Sequence, residues 1–211
     1  MFTGIVESVG EIKKIDRSEQ GVGFSIETNL DRPKKLKIGD SVAVGGACLT
    51  VTARHGSEID VFVSNRSLSD TRFSDLQVGE SVNIETALTL NDPLGGHLVT
   101  GHVDGLAKCI GHTFSGASVL LEFSVDRQLK INQFIVPQGS ISLDGVSLTV
   151  KDVADKKGVS EFAVNIIPHT LEMTTLKGVA AGDFVHVEVD MLARYAGRIT
   201  DYLAVMRGDP R

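Results

Sequence analysis

The sequence contains two copies of itself, in the same order, at an offset of roughly 100 residues, which is one domain length. Thr3-Gly4-Ile5-Val6-Glu7 returns as Thr100-Gly101-His102-Val103-Asp104. Residues 39–51 return as 138–150, so that Gly45-Gly46 matches Asp144-Gly145 and Cys48-Leu49-Thr50-Val51 matches Ser147-Leu148-Thr149-Val150. Ser67-Leu68 with Thr71 corresponds to Thr170-Leu171 with Thr174, and residues 78–85 correspond to 181–188. Collinear matches with this little drift indicate duplication. Two domain-sized copies exclude a solenoid, which stacks three or more repeats of about 20–50 residues. Each copy reads as β: 42–44, 48–52, 59–63 and 82–85 are short and β-branched, and clusters of Gly, Asp, Asn or Ser separate them. No crossover helices intervene, so a small barrel or sandwich is expected in each half. Asp144-Gly145 is a strong tight-turn signal, and Gly45-Gly46 permits the same geometry.

The end of the chain has a different period. Leu192, Tyr195, Ala196, Ile199, Leu203 and Met206 recur every three or four residues, which predicts a helix beginning after an Asp190 cap and ending at Gly208 and Pro210. Such a stripe either docks on its own domain or pairs with copies of itself.

The 211 residues suffice for two cores, and 42% hydrophobic with 23% charged residues is ordinary for a soluble chain. A formal charge of −6 argues against a surface that tracks nucleic-acid phosphates. No apolar run reaches the ~18–20 residues of a membrane helix. The opening Met1-Phe2-Thr3-Gly4-Ile5-Val6 lacks the basic region of an export signal, and Glu7 interrupts it. The expectation is a cytoplasmic protein with Cys48 and Cys109 as free thiols, Cys109 being a filler on a strand.

No P-loop, dinucleotide fingerprint or HExxH occurs, and His97 and His102 lack the clustered ligands of a zinc site. The informative stretch runs from Leu94 to Gly105, with Gly95-Gly96-His97 and Gly101-His102 at the junction of the copies. A histidine here can serve as a general acid–base or make a structural hydrogen bond. His102 replaces the Ile5 of the first copy, which hints at function. Cys48 and its counterpart Ser147 offer a small nucleophilic or hydrogen-bonding side chain at matching points, consistent either with two related pockets or with small buried residues.

Together, Met1–Val6, the Cys48-Leu49-Thr50-Val51 segment, Gly95-Gly96-His97, residues 101–105, residues 144–150 and Ile167-Pro168-His169-Thr170 resemble the riboflavin synthase family, over essentially the whole chain. The resemblance implies an all-β fold of two tandem six-stranded Greek-key barrels, 1–96 and 97–190, and a C-terminal helix, 191–211, that organises a homotrimer. It implies a reaction without cofactor or metal, in which two 6,7-dimethyl-8-ribityllumazine molecules exchange a four-carbon unit to give riboflavin and a ribitylamino-pyrimidinedione. In the family one barrel of a subunit faces the other barrel of a neighbour; an association with lumazine synthase stays open.

Carried over residue by residue, the resemblance implies a C-terminal-barrel pocket of Gly4, Ile5, Val6, Ser147, Leu148, Thr149, Asn165, Ile166, Ile167, Pro168, His169 and Thr170. The N-terminal-barrel pocket would use Ala47, Cys48, Leu49, Phe62, Val63, Ser64, Asn65, Arg66, Ser67, Gly101, His102, Val103 and Gln138. Ser41 and Cys48 would act beside the nucleophile that adds to one lumazine, and His102 and Thr149 would assist proton transfer from the methyl group of the other. Phe2 would close over a ligand from a flexible N-terminus, and Asp190 would supply a supporting hydrogen bond. The chain departs from the family pattern at Gly45 (usually Asn), Arg66-Ser67 (Glu-Thr), Gln138 (Lys) and Arg72-Phe73 (Asn-Leu), all expected on or near the N-terminal-barrel pocket. The rivals are a trimeric scaffold and a non-catalytic lumazine-binding protein of the same fold. Retention of Cys48, of residues 101–105 and of the second Ser-Leu-Thr favours the enzyme.

Overall fold

The computed structural model describes residues 1–30 and 36–207. The first barrel consists of β1 (Ser8–Ser18), β2 (Gly21–Glu27), β3 (Ser41–Val44), β4 (Ala47–His55), β5 (Glu58–Ser64) and β6 (Ser81–Thr86), closed in the order β1-β2-β5-β4-β3-β6. The second consists of β7 (Gly105–Ser115), β8 (Ser118–Asp126), β9 (Ser140–Leu143), β10 (Val146–Asp155), β11 (Val159–Ile166) and β12 (Phe184–Val189). Read round the ring from β7, its order is β7-β8-β11-β10-β9-β12, the same Greek-key circuit. Short helices α1 (Asn65–Ser69) and α2 (Pro168–Met173) follow β5 and β11, and α3 (Met191–Arg207) ends the described chain.

Period-two alternation builds each core. Leu49 and Val51 of β4 and Ile59, Val61 and Val63 of β5 point inward with Phe24 and Ile26, while Cys48, Thr50, Phe62 and Ser64 face outward. Leu148, Val150, Val164 and Ile166 repeat the pattern in the second barrel, around the stacked rings of Phe123 and Phe162. All four strands singled out in the first copy lie within β3 to β6. The residue pattern of β1 is less plain because a bulge between Ile12 and Lys14 breaks the alternation and turns its second half to solvent.

The barrels meet turn to turn. Gly45 and Gly46 have φ of 52° and 84°, and Asp144 and Gly145 have 45° and 80°. These are the doubly positive turns that two-residue hairpins require. The two turns touch: a Cβ on Gly46 would lie 2.5 Å from the Gly145 nitrogen, and one on Gly145 would lie 2.8 Å from the Gly46 nitrogen. Matching side chains brace them crosswise. Asn83 Nδ2 donates to the Asp144 carbonyl at 2.9 Å, and its Oδ1 accepts the Thr175 N–H at 2.8 Å. At the equivalent position His186 Nδ1 lies 2.7 Å from the Gly45 carbonyl, and Nε2 accepts the Arg72 N–H at 2.9 Å. The second contact leaves Nε2 without a proton, so Nδ1 is the donor and the ring is neutral. Phe73 packs on this imidazole at 5.2 Å between centroids. Gly45, Arg72 and Phe73, expected near a ligand pocket, therefore belong to the joint between the barrels.

Helix α3 starts as expected, with the Leu192 N–H donating to Asp190 Oδ1 at 2.9 Å. Gly208 and Pro210, expected to end it, lie outside the described residues. The helix docks on its own barrel through Arg194, which bridges Asp104 at 2.6 Å, and through Gly197 against the Phe134 ring. Leu192, Tyr195, Ile199, Tyr202, Leu203 and Met206 remain exposed.

Burial lowers the pKa of His186, against the attraction of Asp144 3.7 Å away, while Arg72 adds to the lowering. A depressed folded-state value gives a contribution that is complete above the unfolded pKa of about 6.5 and is lost as pH falls through the folded one. Asp144 is shifted the opposite way, upward by burial, and so contributes with the opposite sign. His186→Asn copies the brace already formed by Asn83 without the titrating ring. Urea midpoints measured from pH 7 to pH 5 should fall more steeply for the wild type than for this variant. The extra slope should approach ~1.4 kcal/mol per pH unit. Parallel curves would mean that His186 does not titrate within the joint.

Candidate ligand sites on the two barrels

The segment preceding each barrel crosses over to cover the other one. Gly4, which enters β1, accepts the Ser147 N–H of β10 at 2.7 Å, and Gly101, which enters β7, accepts the Cys48 N–H of β4 at 2.8 Å. Both glycines have positive φ, 74° and 80°. A Cβ on Gly4 would lie 2.6 Å from Ser147 Cβ, and one on Gly101 would lie 2.5 Å from Cys48 Cβ. Only glycine lets the main chain lie this close. The crossing segments pair with each other: Phe2 N–H donates to the Val99 carbonyl at 2.7 Å, and Val99 N–H donates back at 3.1 Å. Phe2, Ala43 and Val99 form a small third core that Cys48 borders. Phe2 is thus fully buried, and the expectation of a mobile lid is corrected: paired main chain and an apolar socket fix the ring.

On the first barrel the outward row of β3, β4 and β5 presents Ser41 opposite Thr50, with Cys48 half-buried beneath Gly101 and Phe62 and Ser64 beside them. His102 is exposed, while Val103 packs against the first core. Ser64 caps α1, which carries Arg66 into solvent 3.8 Å from Asp70 and sets Ser67 Oγ 3.3 Å from Ser64 Oγ. Asn65 is tied to the Glu19 carbonyl at 2.7 Å. Ala47, Leu49 and Val63 point into the barrel, so only their main chain can face a ligand. Gln138 occupies the second barrel, at the place of Gly39, with its N–H on the Val150 carbonyl at 2.7 Å, and does not join Cys48 within one chain.

The corresponding face of the second barrel presents Ser147, Thr149, Asn165 and Ile167 outward, with Leu148 and Ile166 in the core. Ile5 is exposed at its edge, Val6 packs on the second core, and Pro168, His169 and Thr170 open α2. Here the symmetry fails in one respect. The loop before β7 lays His97 over Ser147, with Nδ1 2.7 Å from Oγ, whereas the chain that follows β12 becomes α3. His97 is 8% exposed, and its Nε2 is buried with no hydrogen-bond partner among the described residues. Burial lowers its pKa, and the charge of Asp190 opposes the change. This imidazole beside a hydroxyl is an arrangement that the duplication could not reveal, because His97 has no counterpart in the other copy.

One chain does not gather the four residues expected to carry chemistry. Ser41, Cys48 and His102 share the first-barrel face, while Thr149 lies on the second. Among the described residues no group of three His, Cys, Asp or Glu side chains is placed to hold a metal ion. A groove of about 890 Å³ opens between the barrels at Arg72, Asp144, Lys177 and Phe184, and neither Cys48 nor Ser147 lines it.

The lumazine binding domain family matches residues 3–87 and 100–190. The chain is 40% identical to the riboflavin synthase of Brucella abortus over 207 residues, covering 96% of this chain and 99% of that one. It is 33% identical to the riboflavin synthase of Bacillus subtilis, covering 94% and 89%. Among solved structures, LumP complexed with riboflavin superposes with a TM-score of 0.77 at 27% identity, covering 90% of this chain and 99% of LumP. LumP complexed with 6,7-dimethyl-8-(1'-D-ribityl) lumazine gives the same score at 25% identity. Two closed barrels that each match one lumazine binding domain, with full-length similarity to those enzymes, show that the chain belongs to the riboflavin synthase family.

Proposed function

We propose that the protein catalyses the dismutation of two 6,7-dimethyl-8-ribityllumazine molecules into riboflavin and 5-amino-6-(D-ribitylamino)uracil, a four-carbon transfer without cofactor or metal. One observation carries the reading: two equivalent outer faces, each with a small nucleophilic or hydroxyl group under a crossing Gly segment, suit two identical reactants that play different parts. Cys48 and Ser41 serve the lumazine that accepts a nucleophile. His102 and Thr149 serve the one that loses a methyl proton, with His97 and Ser147 as a second imidazole–hydroxyl pair on the same barrel as Thr149. Holding both reactants aligned removes up to roughly 7–11 kcal/mol of the barrier to a bimolecular step.

The separation of His102 from Thr149 within one chain supports assembly of the complete site between copies, with the first barrel of one facing the second barrel of another. The exposed stripe Leu192, Tyr195, Ile199, Leu203 and Met206 on α3 supports a homotrimer joined by these helices. Gln138, on the second barrel, would then reach a first-barrel ligand from the neighbouring copy. The similarity to riboflavin synthases supports a transferase, which we read as cytoplasmic.

Incubation of the purified protein with the lumazine alone should give riboflavin well above the spontaneous rate, followed by its fluorescence. His102→Gln and Cys48→Ala should each lower kcat, the former by roughly 10²-fold as expected for a lost acid–base group. Tight binding without turnover would replace the enzyme with a ligand-storing protein of the same fold. Ile199→Glu should shift the mass measured by light scattering from three chains towards one and reduce turnover in parallel. A monomeric wild type with full activity would overturn the shared site.

A further inference from the structure

One buried glutamate holds each crossing segment. Glu85 on β6 accepts the Thr3 N–H and the Thr3 hydroxyl on Oε1, both at 2.6 Å, and the Gly4 N–H on Oε2 at 3.0 Å. Glu188 on β12 repeats this with the Thr100 N–H and hydroxyl on Oε1, both at 2.7 Å, and the Gly101 N–H on Oε2 at 2.9 Å. The hydroxyl oxygens pass the constraint on, since Thr3 Oγ1 accepts the Ile5 N–H and Thr100 Oγ1 accepts the His102 N–H, each at 3.1 Å. Both carboxylates are at most 5% exposed, and burial pushes both pKa values up against these hydrogen bonds. Three donors converge on an acceptor-only group, a complete and directional match. The segments need it, because Gly4 and Gly101 have no side chains to anchor them and glycine loses the most freedom on ordering.

We propose that Glu85 and Glu188 are positioning residues that act crosswise. Glu85, in the first barrel, sets the segment over Ser147 of the second, and Glu188, in the second barrel, sets Gly101 and His102 over Cys48 of the first. A purely structural role would confine the effect of each glutamate to its own barrel. The crossed connection predicts that each governs the face of the other. The naming of Cys48 and His102 as reacting groups rests on the proposed function; the crossing itself does not.

The test uses the full chain with Cys48 as reporter. Glutamine keeps the shape of the side chain and replaces one acceptor oxygen by a donor that opposes the main-chain N–H groups. Alkylation by iodoacetamide, resolved by peptide mass, should be about tenfold faster at Cys48 in Glu188→Gln, as expected for loss of a charge-assisted hydrogen bond. In Glu85→Gln the acceleration at Cys48 should be several-fold smaller than in Glu188→Gln, because Glu85 reaches Cys48 only through Phe2, with the buried thiol of Cys109 as internal reference. Riboflavin formation should fall in both variants. If Glu188→Gln does not fold by circular dichroism, Thr100→Val should accelerate Cys48 in the same direction and Thr100→Ser should restore the wild-type rate. An unchanged Cys48 rate in folded Glu188→Gln, or equal acceleration in both glutamine variants, would overturn the crosswise assignment. A wild type that forms no riboflavin but keeps the thiol pattern would sink only the enzymatic reading.

Discussion

The contact between the Gly45-Gly46 and Asp144-Gly145 turns sets the distance and angle between the barrels, and the remaining interdomain geometry follows from it. Gly46 and Gly145 approach too closely for side chains, so their contact itself is unspecific. Its specificity comes from Asn83 and His186, whose paired donor and acceptor atoms each read a turn carbonyl and an N–H of the other barrel. Once the turns are seated, the crossing segments can reach opposite barrels, and Phe2 and Val99 can pair between them. A closed barrel has no free strand edge through which to join a neighbour. The association is therefore built from turns and linkers.

Duplication made two equal faces, and later differences made them unequal. The loop carrying His97 covers Ser147, while the chain after β12 turns into α3 and leaves the other face to Cys48 and His102. Asp104 gained Arg194 as an ionic partner from that helix, whereas its counterpart Glu7 bonds Thr86. Each asymmetry arises where the linker after one copy differs from the tail after the other. A reaction that assigns opposite roles to identical molecules needs inequality of this kind.

The strand pattern, the turns, the Asp190 cap and the helix stripe were legible in the sequence, because each rests on local periodicity or on residues with restricted φ. Across the chain, what repeats was readable from the residues themselves, whereas what crosses entered only through the family resemblance, which grouped Gly4 with Ser147 and Gly101 with Cys48. Nothing local tells that Gly4 covers Ser147 rather than Cys48, since the two arrangements place the same residues on equivalent surfaces. Gly45, Arg72 and Phe73 stood out as departures, but their meaning depends on His186, about 110–140 residues away, at the opposite side of the joint. Phe2 near a chain terminus suggested mobility; its burial depends on Val99, a contact between the copies that no single repeat contains. The outward residues of the ligand faces were identifiable, yet Leu49, Val63, Leu148 and Ile166 point inward by strand alternation and can contribute only main chain.

The crossed segments bear on the history of the chain. A single copy would carry a covering segment with no second barrel to cover, and would complete itself only by meeting an identical copy in an isologous pair. Fusing two such copies makes that encounter an intramolecular one, in which the linker sets an effective concentration of order millimolar. Dilution can no longer separate the halves. With pairing guaranteed by covalent linkage, each half was released from being its own mirror image, and substitutions useful on one side alone could accumulate.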